Sequence, residues 1–114
     1  MPYFRIETNV TVDRKAAQDT AAAASAIMAD LLGKPESYVL ASFHPDTPLV
    51  FGGSREPAAM VHLKSIGLPK ARCAELSEKI CAFVEKTLKV PPGRVFIDFK
   101  DLDGKMFGWN GRTF

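Results

Sequence analysis

The sequence repeats one order of predicted elements in two consecutive halves of about 57 residues. Each half predicts a strand, an amphipathic helix, a Gly or Pro that ends the helix, and a second strand. Such a half is a βαβ unit, and its right-handed crossover makes its two strands parallel. We therefore predict an α/β (α+β) fold in a single domain, 1–114, with pseudo-repeats 1–57 and 58–114. The two units should form a four-stranded mixed sheet with both helices on one face.

The first half opens with an alternating strand over Tyr3–Thr8. Apolar residues at three- and four-residue spacing predict a helix over Arg14–Leu32, which Thr11 or Asp13 can cap. Gly33 and the proline two residues beyond it end this helix. Further strands are predicted over 38–43 and, as a short segment, over 49–51.

The second half follows the same pattern. It predicts a strand over 58–66, a helix over 70–88 and a strand over 94–99. The last strand carries Phe96 and Asp98 on the face opposite to its other apolar residues. The apolar stripe of the helix consists of Leu76, Ile80, Phe83, Val84 and Leu88.

Composition excludes several classes of protein. A formal net charge of +2, with scattered basic residues, does not predict nucleic-acid binding. No stretch approaches the roughly 20 apolar residues that a membrane span needs. The first residues do not have the pattern of a secretory signal. We therefore expect a cytoplasmic protein, and an extracellular role would need a non-classical export route.

The cysteines and histidines do not predict a redox or metal centre. Cys73 and Cys81 lie on one predicted helix, about 12 Å apart, which is too far for a disulfide. We expect both to be free thiols, and we expect no metal and no cofactor. His44 and His62 are far apart in sequence, and neither has a carboxylate at ligand spacing.

The sheet face without helices must meet water or another subunit. Residues 39–43 are apolar almost throughout, which indicates coverage on both faces. The tail, 107–114, carries three large aromatic residues around an Asn110-Gly111 turn. We expect this tail to dock on a neighbouring subunit and the protein to be an obligate oligomer.

The first residues could carry chemistry. If Met1 is removed, Pro2 becomes a terminal secondary amine that can accept a proton. An α-amino group has a pKa of about 7.7–8.0, and burial or a nearby positive charge lowers it. A base works best when its pKa is near the working pH. The alternative is that Pro2 is only a proline that begins a strand, where its missing N–H is tolerated.

Short motifs that occur in one order along the whole chain carry a resemblance to a known family. They are Met1-Pro2, Thr8-Asn9-Val10, Gly33-Lys34-Pro35-Glu36 with Tyr38-Val39, Phe51-Gly52-Gly53-Ser54 with Glu56-Pro57, Ser65-Ile66-Gly67, Pro92 with Arg94-Val95, and Gly108-Trp109-Asn110-Gly111 with Thr113-Phe114. Together they resemble the macrophage migration inhibitory factor family, which includes D-dopachrome tautomerase, in the tautomerase superfamily.

The resemblance implies a homotrimer whose three sheets line a central solvent channel. It also implies a cofactor-free keto–enol tautomerase of the phenylpyruvate tautomerase or dopachrome isomerase type, which acts on a small aromatic keto acid. In this family, the terminal proline is the general base at a site between subunits.

The family's functional positions are present in this chain. The resemblance makes Pro2 the catalytic base, and Lys34 the contact for the substrate carboxylate. Ser65 and Ile66 match a strand segment beside the proline. Residues matching the hydrophobic pocket are Tyr38, Phe107, Trp109 and Phe114. From the residues alone, Lys34 could equally be a surface lysine at a helix end, Ile66 a core residue, and Trp109 and Phe114 interface packing.

Two positions depart from the pattern of many animal members. Phe96 stands where they have a tyrosine, and Asp98 stands where they have an asparagine. Phe96 removes a hydrogen-bond donor, and Asp98 would repel a substrate carboxylate if it faces the pocket. We expect altered or reduced activity.

The alternative function is that of a cytokine-like signalling or binding protein with a vestigial pocket, which would imply a receptor. Val12 replaces the basic residue that contributes to receptor recognition in animal members, whereas its acidic partner position is kept as Asp46. Ala58 and Val61 replace the C-x-x-C of many animal members, so a thiol oxidoreductase activity is not expected.

Overall fold

The chain folds as two βαβ units that share one sheet. The computed structural model describes all residues, 1–114. The first unit consists of β1 (Tyr3–Thr8), α1 (Arg14–Leu32) and β2 (Leu40–His44). The second consists of β3 (Ala59–Ile66), α2 (Cys73–Leu88) and β4 (Val95–Leu102), and the chain ends in a small hairpin of β5 (Gly108–Trp109) and β6 (Arg112–Thr113).

The four long strands have the order β2-β1-β3-β4. Within each unit the strands are parallel, and the units meet through the antiparallel pair β1 and β3. Tyr3 on β1 lies between Leu40 on β2 and Lys64 on β3, and Lys64 lies beside Lys100 on β4. The predicted four-stranded mixed sheet is thus confirmed. The first strand of the chain is an interior strand of this sheet.

One face of the sheet packs on the helices and forms the core. Successive side chains of a strand point to opposite faces, so alternate residues of β1 and β3 are fully buried. Neither helix has both the length and the apolar character needed to cross a membrane. The largest buried side chains of the core are Phe4, Ile6, Met28, Leu63, Leu76 and Ile80.

The opposite face of the sheet, called here the open face, is largely polar and has no element of the chain over it. It carries Arg5 and Glu7 from β1, His62 and Lys64 from β3, and Asp98 from β4. Leu40 on β2 is 64% exposed on the open face, so the expected coverage of β2 on both faces needs another subunit and stays a prediction.

The structure corrects two predicted strands of the first half. The strand predicted over 38–43 begins at Leu40, because Glu36–Tyr38 form a 3₁₀ turn closed by a hydrogen bond from the Val39 N–H to the Glu36 carbonyl. The short strand predicted over 49–51 is absent. Only an isolated bridge joins Phe51 to Ser54, and Val50 is exposed.

The bounds of the second half also shift. The strand predicted over 58–66 begins at residue 59, and the helix predicted over 70–88 begins with a 3₁₀ turn over Lys70–Arg72. The last long strand was predicted over 94–99 but covers Val95–Leu102, because pairing with β3 continues to its end at Ile66. Arg94 instead ends a 3₁₀ turn that starts at Pro92.

The C-terminal tail docks on its own chain. The expected docking on a neighbouring subunit stays a prediction. Asn110 and Gly111 both have positive φ, 53° and 73°, as a tight hairpin turn requires. This turn folds the tail back, so that the rings of Trp109 and Phe114 contact Tyr38 at centroid distances of 5.5 and 6.5 Å.

The structure selects Asp13 over Thr11 as the cap of α1. The Asp13 carboxylate accepts a hydrogen bond of 2.8 Å from the Ala16 N–H, whereas the Thr11 hydroxyl donates to Asp46. We expect Asp13→Ala to lower the free energy of unfolding by about 1 kcal/mol, because an N–H of the first turn loses its acceptor. Urea unfolding at a fixed protein concentration measures this, with Asp13→Asn as the control that keeps an acceptor. An equal loss in both variants would contradict the capping role.

Candidate active site at the N-terminus

A mostly apolar cavity of about 350 Å³ lies at the N-terminal end of β1. Eight of its eleven lining residues are hydrophobic, and most come from three segments: the chain start, the 3₁₀ turn before β2, and the C-terminal tail. Cavities of this kind are the usual sites for small apolar ligands. The lining residues are Met1, Pro2, Tyr3, Ser37, Tyr38, Val39, Leu40, Phe107, Gly108, Trp109 and Phe114.

The sheet topology fixes Pro2 in this cavity. Because β1 is an interior strand, the residue before it is held between β2 and β3. The Leu40 N–H donates to the Pro2 carbonyl at 3.0 Å, and Pro2 is buried. In the printed chain the Pro2 nitrogen forms an amide with Met1 and is not basic.

Aromatic rings form one wall of the cavity. Trp109 stacks on Phe114 with ring centroids 5.6 Å apart and an interplanar angle of 19°. Phe107 also stacks on Phe114, with ring centroids 6.2 Å apart. Tyr38 meets both tail rings edge-on, so the wall is a rigid surface that fits a planar aromatic group.

Lys34 lies beside the chain terminus. Gly33 ends α1 in the left-handed conformation, φ 62°, and Lys34 follows it directly. The Lys34 ammonium donates to the Ile66 carbonyl at 3.1 Å. Burial, and secondly the charge of Lys34, lower the pKa of the Met1 amine from its ordinary value. The surroundings of the N-terminus therefore lower the basicity of an amine placed there.

Ser65 and Ile66 adjoin the cavity but do not line it. The Ser65 side chain is on the helix side of β3, and its hydroxyl oxygen is buried without a hydrogen-bond partner. Ile66 contributes its carbonyl to Lys34. The Ser65 side chain thus points away from the open face, and the predicted substrate contacts of Ser65 and Ile66 stay predictions.

Phe96 and Asp98 lie away from the cavity of their own chain. Tyr3 at the cavity is level with Lys100 on β4, four residues beyond Phe96, which is about 13 Å along the strand. Phe96 is 63% exposed and packs on Phe51 at 4.7 Å between centroids. Asp98 faces His62, with 3.7 Å between Oδ2 and Nδ1. One chain therefore does not bring these two residues to Pro2.

The residues that the sequence did not identify at the cavity are Met1, Tyr3, Ser37, Val39, Leu40 and Gly108. The sequence feature that could have indicated Ser37, Val39 and Leu40 is Pro35. A proline before Glu-Ser-Tyr favours a turn, and this turn brings the three residues beside the chain start.

Asp46 and the two cysteines were considered in the sequence for receptor recognition and for thiol chemistry, and the structure shows their surroundings. The Asp46 carboxylate accepts a hydrogen bond of 2.6 Å from the Thr11 hydroxyl. Cys73 and Cys81 are free thiols, and burial raises the pKa of Cys81. No three His, Cys, Asp or Glu side chains come together as a metal-binding group.

The fold and cavity define a class of protein. Two βαβ units in one mixed sheet, with the chain start in a cavity beside a lysine, are the architecture of the tautomerase fold. The family model described as "Macrophage migration inhibitory factor (MIF)" matches residues 1–114. The chain belongs to this family.

Individual relatives support the assignment along the whole chain. A macrophage migration inhibitory factor homolog of Brugia malayi is 39% identical over 116 residues, covering 100% of this chain and 99% of its own. The crystal structure of a homologue from Prochlorococcus marinus is 38% identical with a TM-score of 0.91, covering 98% of both chains. The structure of the Trichinella spiralis protein is 36% identical with a TM-score of 0.89, covering 98% of this chain and 99% of its own.

The position of Lys34 makes a testable electrostatic prediction. We expect Lys34→Gln to raise the pKa of the Met1 amine in the chain that keeps Met1, because a nearby positive charge disfavours the protonated amine. The pKa should stay below its ordinary value, since burial is the larger cause. An NMR titration of isotope-labelled Met1 measures this, with Lys86→Gln on the exposed side of α2 as the control. An unchanged pKa in Lys34→Gln would contradict the electrostatic role.

Proposed function

We propose that this protein is a cofactor-free keto–enol tautomerase that acts on a small aromatic keto acid, with Pro2 as the general base after removal of Met1. The observation that carries the proposal is the burial of Pro2 in an aromatic-lined cavity within reach of the charge of Lys34. Tautomerisation needs a base, an anchor for the substrate and a setting that stabilises the developing enolate.

Removal of Met1 would convert the Pro2 nitrogen from an amide into a secondary amine. The two causes that lower the pKa of the Met1 amine, burial and Lys34, would act on this amine as well, since it would lie one residue deeper in the same cavity. Lowering the pKa of an amine raises its unprotonated fraction at neutral pH, and the unprotonated amine can accept the proton from the carbon beside the ketone. The same amine can return the proton to the substrate, so the reaction needs no cofactor.

Lys34 and the aromatic wall are suited to hold an aryl keto acid. The ammonium can pair with the substrate carboxylate, while Trp109 and Phe114 offer a flat apolar surface to the ring. In this proposal the ammonium holds the carboxylate, and the carbon on the far side of the ketone, which loses its proton, faces Pro2. Ser65 and Ile66 complete the edge of this site through the backbone of β3, with the Ile66 carbonyl holding Lys34 in place.

A homotrimer is part of the proposal. The two edge strands of the sheet are different, and each exposes a large apolar residue, Leu40 on β2 and Phe96 on β4. Contact between two different edges is heterologous and closes into a ring when the rotation permits. Within such a ring, a neighbouring chain could bring Phe96 and Asp98 to the cavity, as the family resemblance implies and a single chain does not allow.

We expect Pro2→Gly to lose most enolisation of hydroxyphenylpyruvate while the oligomer stays intact. Glycine keeps a terminal amine but loses the rigid ring and the secondary amine of proline. Stopped-flow absorbance measures turnover, light scattering measures the oligomer, and intact mass establishes that Met1 is absent. If the parent itself shows no turnover without Met1, the alternative of a binding protein with a vestigial pocket is favoured.

Phe96 and Asp98, which stand where many animal members have tyrosine and asparagine, should lower the activity of the parent enzyme. We expect Phe96→Tyr to raise kcat/KM by about two- to tenfold, because it adds a hydrogen-bond donor worth about 0.5–1.5 kcal/mol. Asp98→Asn should lower KM for a keto acid by removing a negative charge. The matched control is Val50→Thr, at an exposed position of the loop that precedes the Phe51 bridge. Unchanged kcat/KM and KM in both variants would contradict a neighbour's contribution to the site, and a fall in kcat/KM would contradict the restraint assigned to Phe96 and Asp98.

A further inference from the structure

The open face of the sheet carries an arrangement of charges that the proposed tautomerase does not use. Arg5 from β1, Lys64 from β3 and Lys100 from β4 lie on this face on three adjacent strands. A concavity of about 290 Å³ lies among Tyr3, Arg5, Glu7, His62 and Lys64. Of these residues, only Tyr3 also lines the cavity at Pro2.

The carboxylates of this face are engaged away from the two lysines. Glu7 accepts a hydrogen bond of 3.1 Å from Arg5, and its Oε1 lies 3.6 Å from His62 Nε2. The Asp98 carboxylate lies 3.7 Å from the other ring nitrogen of His62. His62 thus sits between both carboxylates, and none of the ion pairs of the chain includes Lys64 or Lys100.

The sheet register forces the two lysines together. Lys64 and Lys100 are direct partners on neighbouring strands, and such strands lie about 4.8 Å apart. Like charges side by side on one sheet face destabilise the sheet. The only favourable contact of either ammonium with an aromatic group is that of Lys64, 5.9 Å from the centroid of the Tyr3 ring. An anion between the ammonium groups would remove this repulsion.

We propose that Lys64 and Lys100, with Arg5 beside them, form a binding site for a small oxyanion that carries at least two negative charges, such as a phosphate group. Two ammonium groups on rigid strands can share one such anion, and Arg5 can add donors from β1. All three residues belong to one chain, so the site does not depend on removal of Met1, and in the proposed trimer it would lie on the sheet face that lines the central channel.

The site is tested by thermal unfolding with inorganic pyrophosphate. The reference is sodium chloride at equal ionic strength, and malonate in a parallel series tests a second oxyanion with two negative charges. We expect either anion to raise the Tm of the parent by about 5 °C or more at a hundredfold excess over its Kd. The Lys64→Gln/Lys100→Gln double variant should lose most of this shift, and Lys86→Gln should keep it.

Lys100→Gln alone provides a second test at an exposed position where the fold is not at risk. It should reduce the shift, while its Tm in chloride alone should equal or exceed that of the parent, because it removes the repulsion. The proposal is overturned if pyrophosphate and malonate act no better than chloride on the parent, or if the double variant responds as the parent does. Neither readout depends on turnover, so a failure here is distinct from a failure of the tautomerase proposal.

Discussion

The antiparallel pairing of β1 with β3 is the interaction on which the rest of the structure depends. It joins two βαβ units that could each bury only one face of a two-stranded sheet. It also makes the first strand of the chain an interior strand, with neighbours on both sides. A chain terminus that would otherwise fray is therefore anchored, and Pro2 has a fixed position beside β2 and β3. The cavity at the chain start follows directly from this sheet order.

Residue periodicity was sufficient for the elements whose pattern is local. Tyr3–Thr8 and Arg14–Leu32 have the predicted bounds, because a buried face repeated every two or every three to four residues determines them. The start of β2 was missed because the turn at Glu36 uses backbone groups that were assigned to a strand. The end of β4 was missed because Leu102 is a strand residue only through its partner Ile66.

The candidate site was predictable only in part, because some of its features depend on pairing between strands that are distant in sequence. The aromatic residues of the tail and Tyr38 were predicted through the family resemblance, and the structure brings them together around Pro2. The places of Phe96 and Asp98 could not be inferred from spacing, because they depend on the register between β3 and β4. Some motif residues that carry the resemblance instead hold a loop. The Arg94 guanidinium donates to the carbonyls of four residues, Phe51, Ser54, Glu56 and Pro57.

The loop held by Arg94 links this structural role to the proposed site. The guanidinium also lies 5.2 Å from the Phe51 ring centroid, and Phe51 supports the exposed Phe96. In the proposed trimer, the aromatic pair at the β4 edge of one chain would meet the cavity at the start of β1 in a neighbouring chain. The proposed chemistry depends in addition on the state of the Pro2 nitrogen.

The most direct measurement compares enolisation by two forms of the unmodified sequence, one that begins at Pro2 and one that retains Met1, each verified by intact mass. The form that begins at Pro2 should turn over a phenylpyruvate-type substrate, and the form with Met1 should be silent, because its Pro2 nitrogen is an amide. Equal turnover by the two forms would contradict Pro2 as the base.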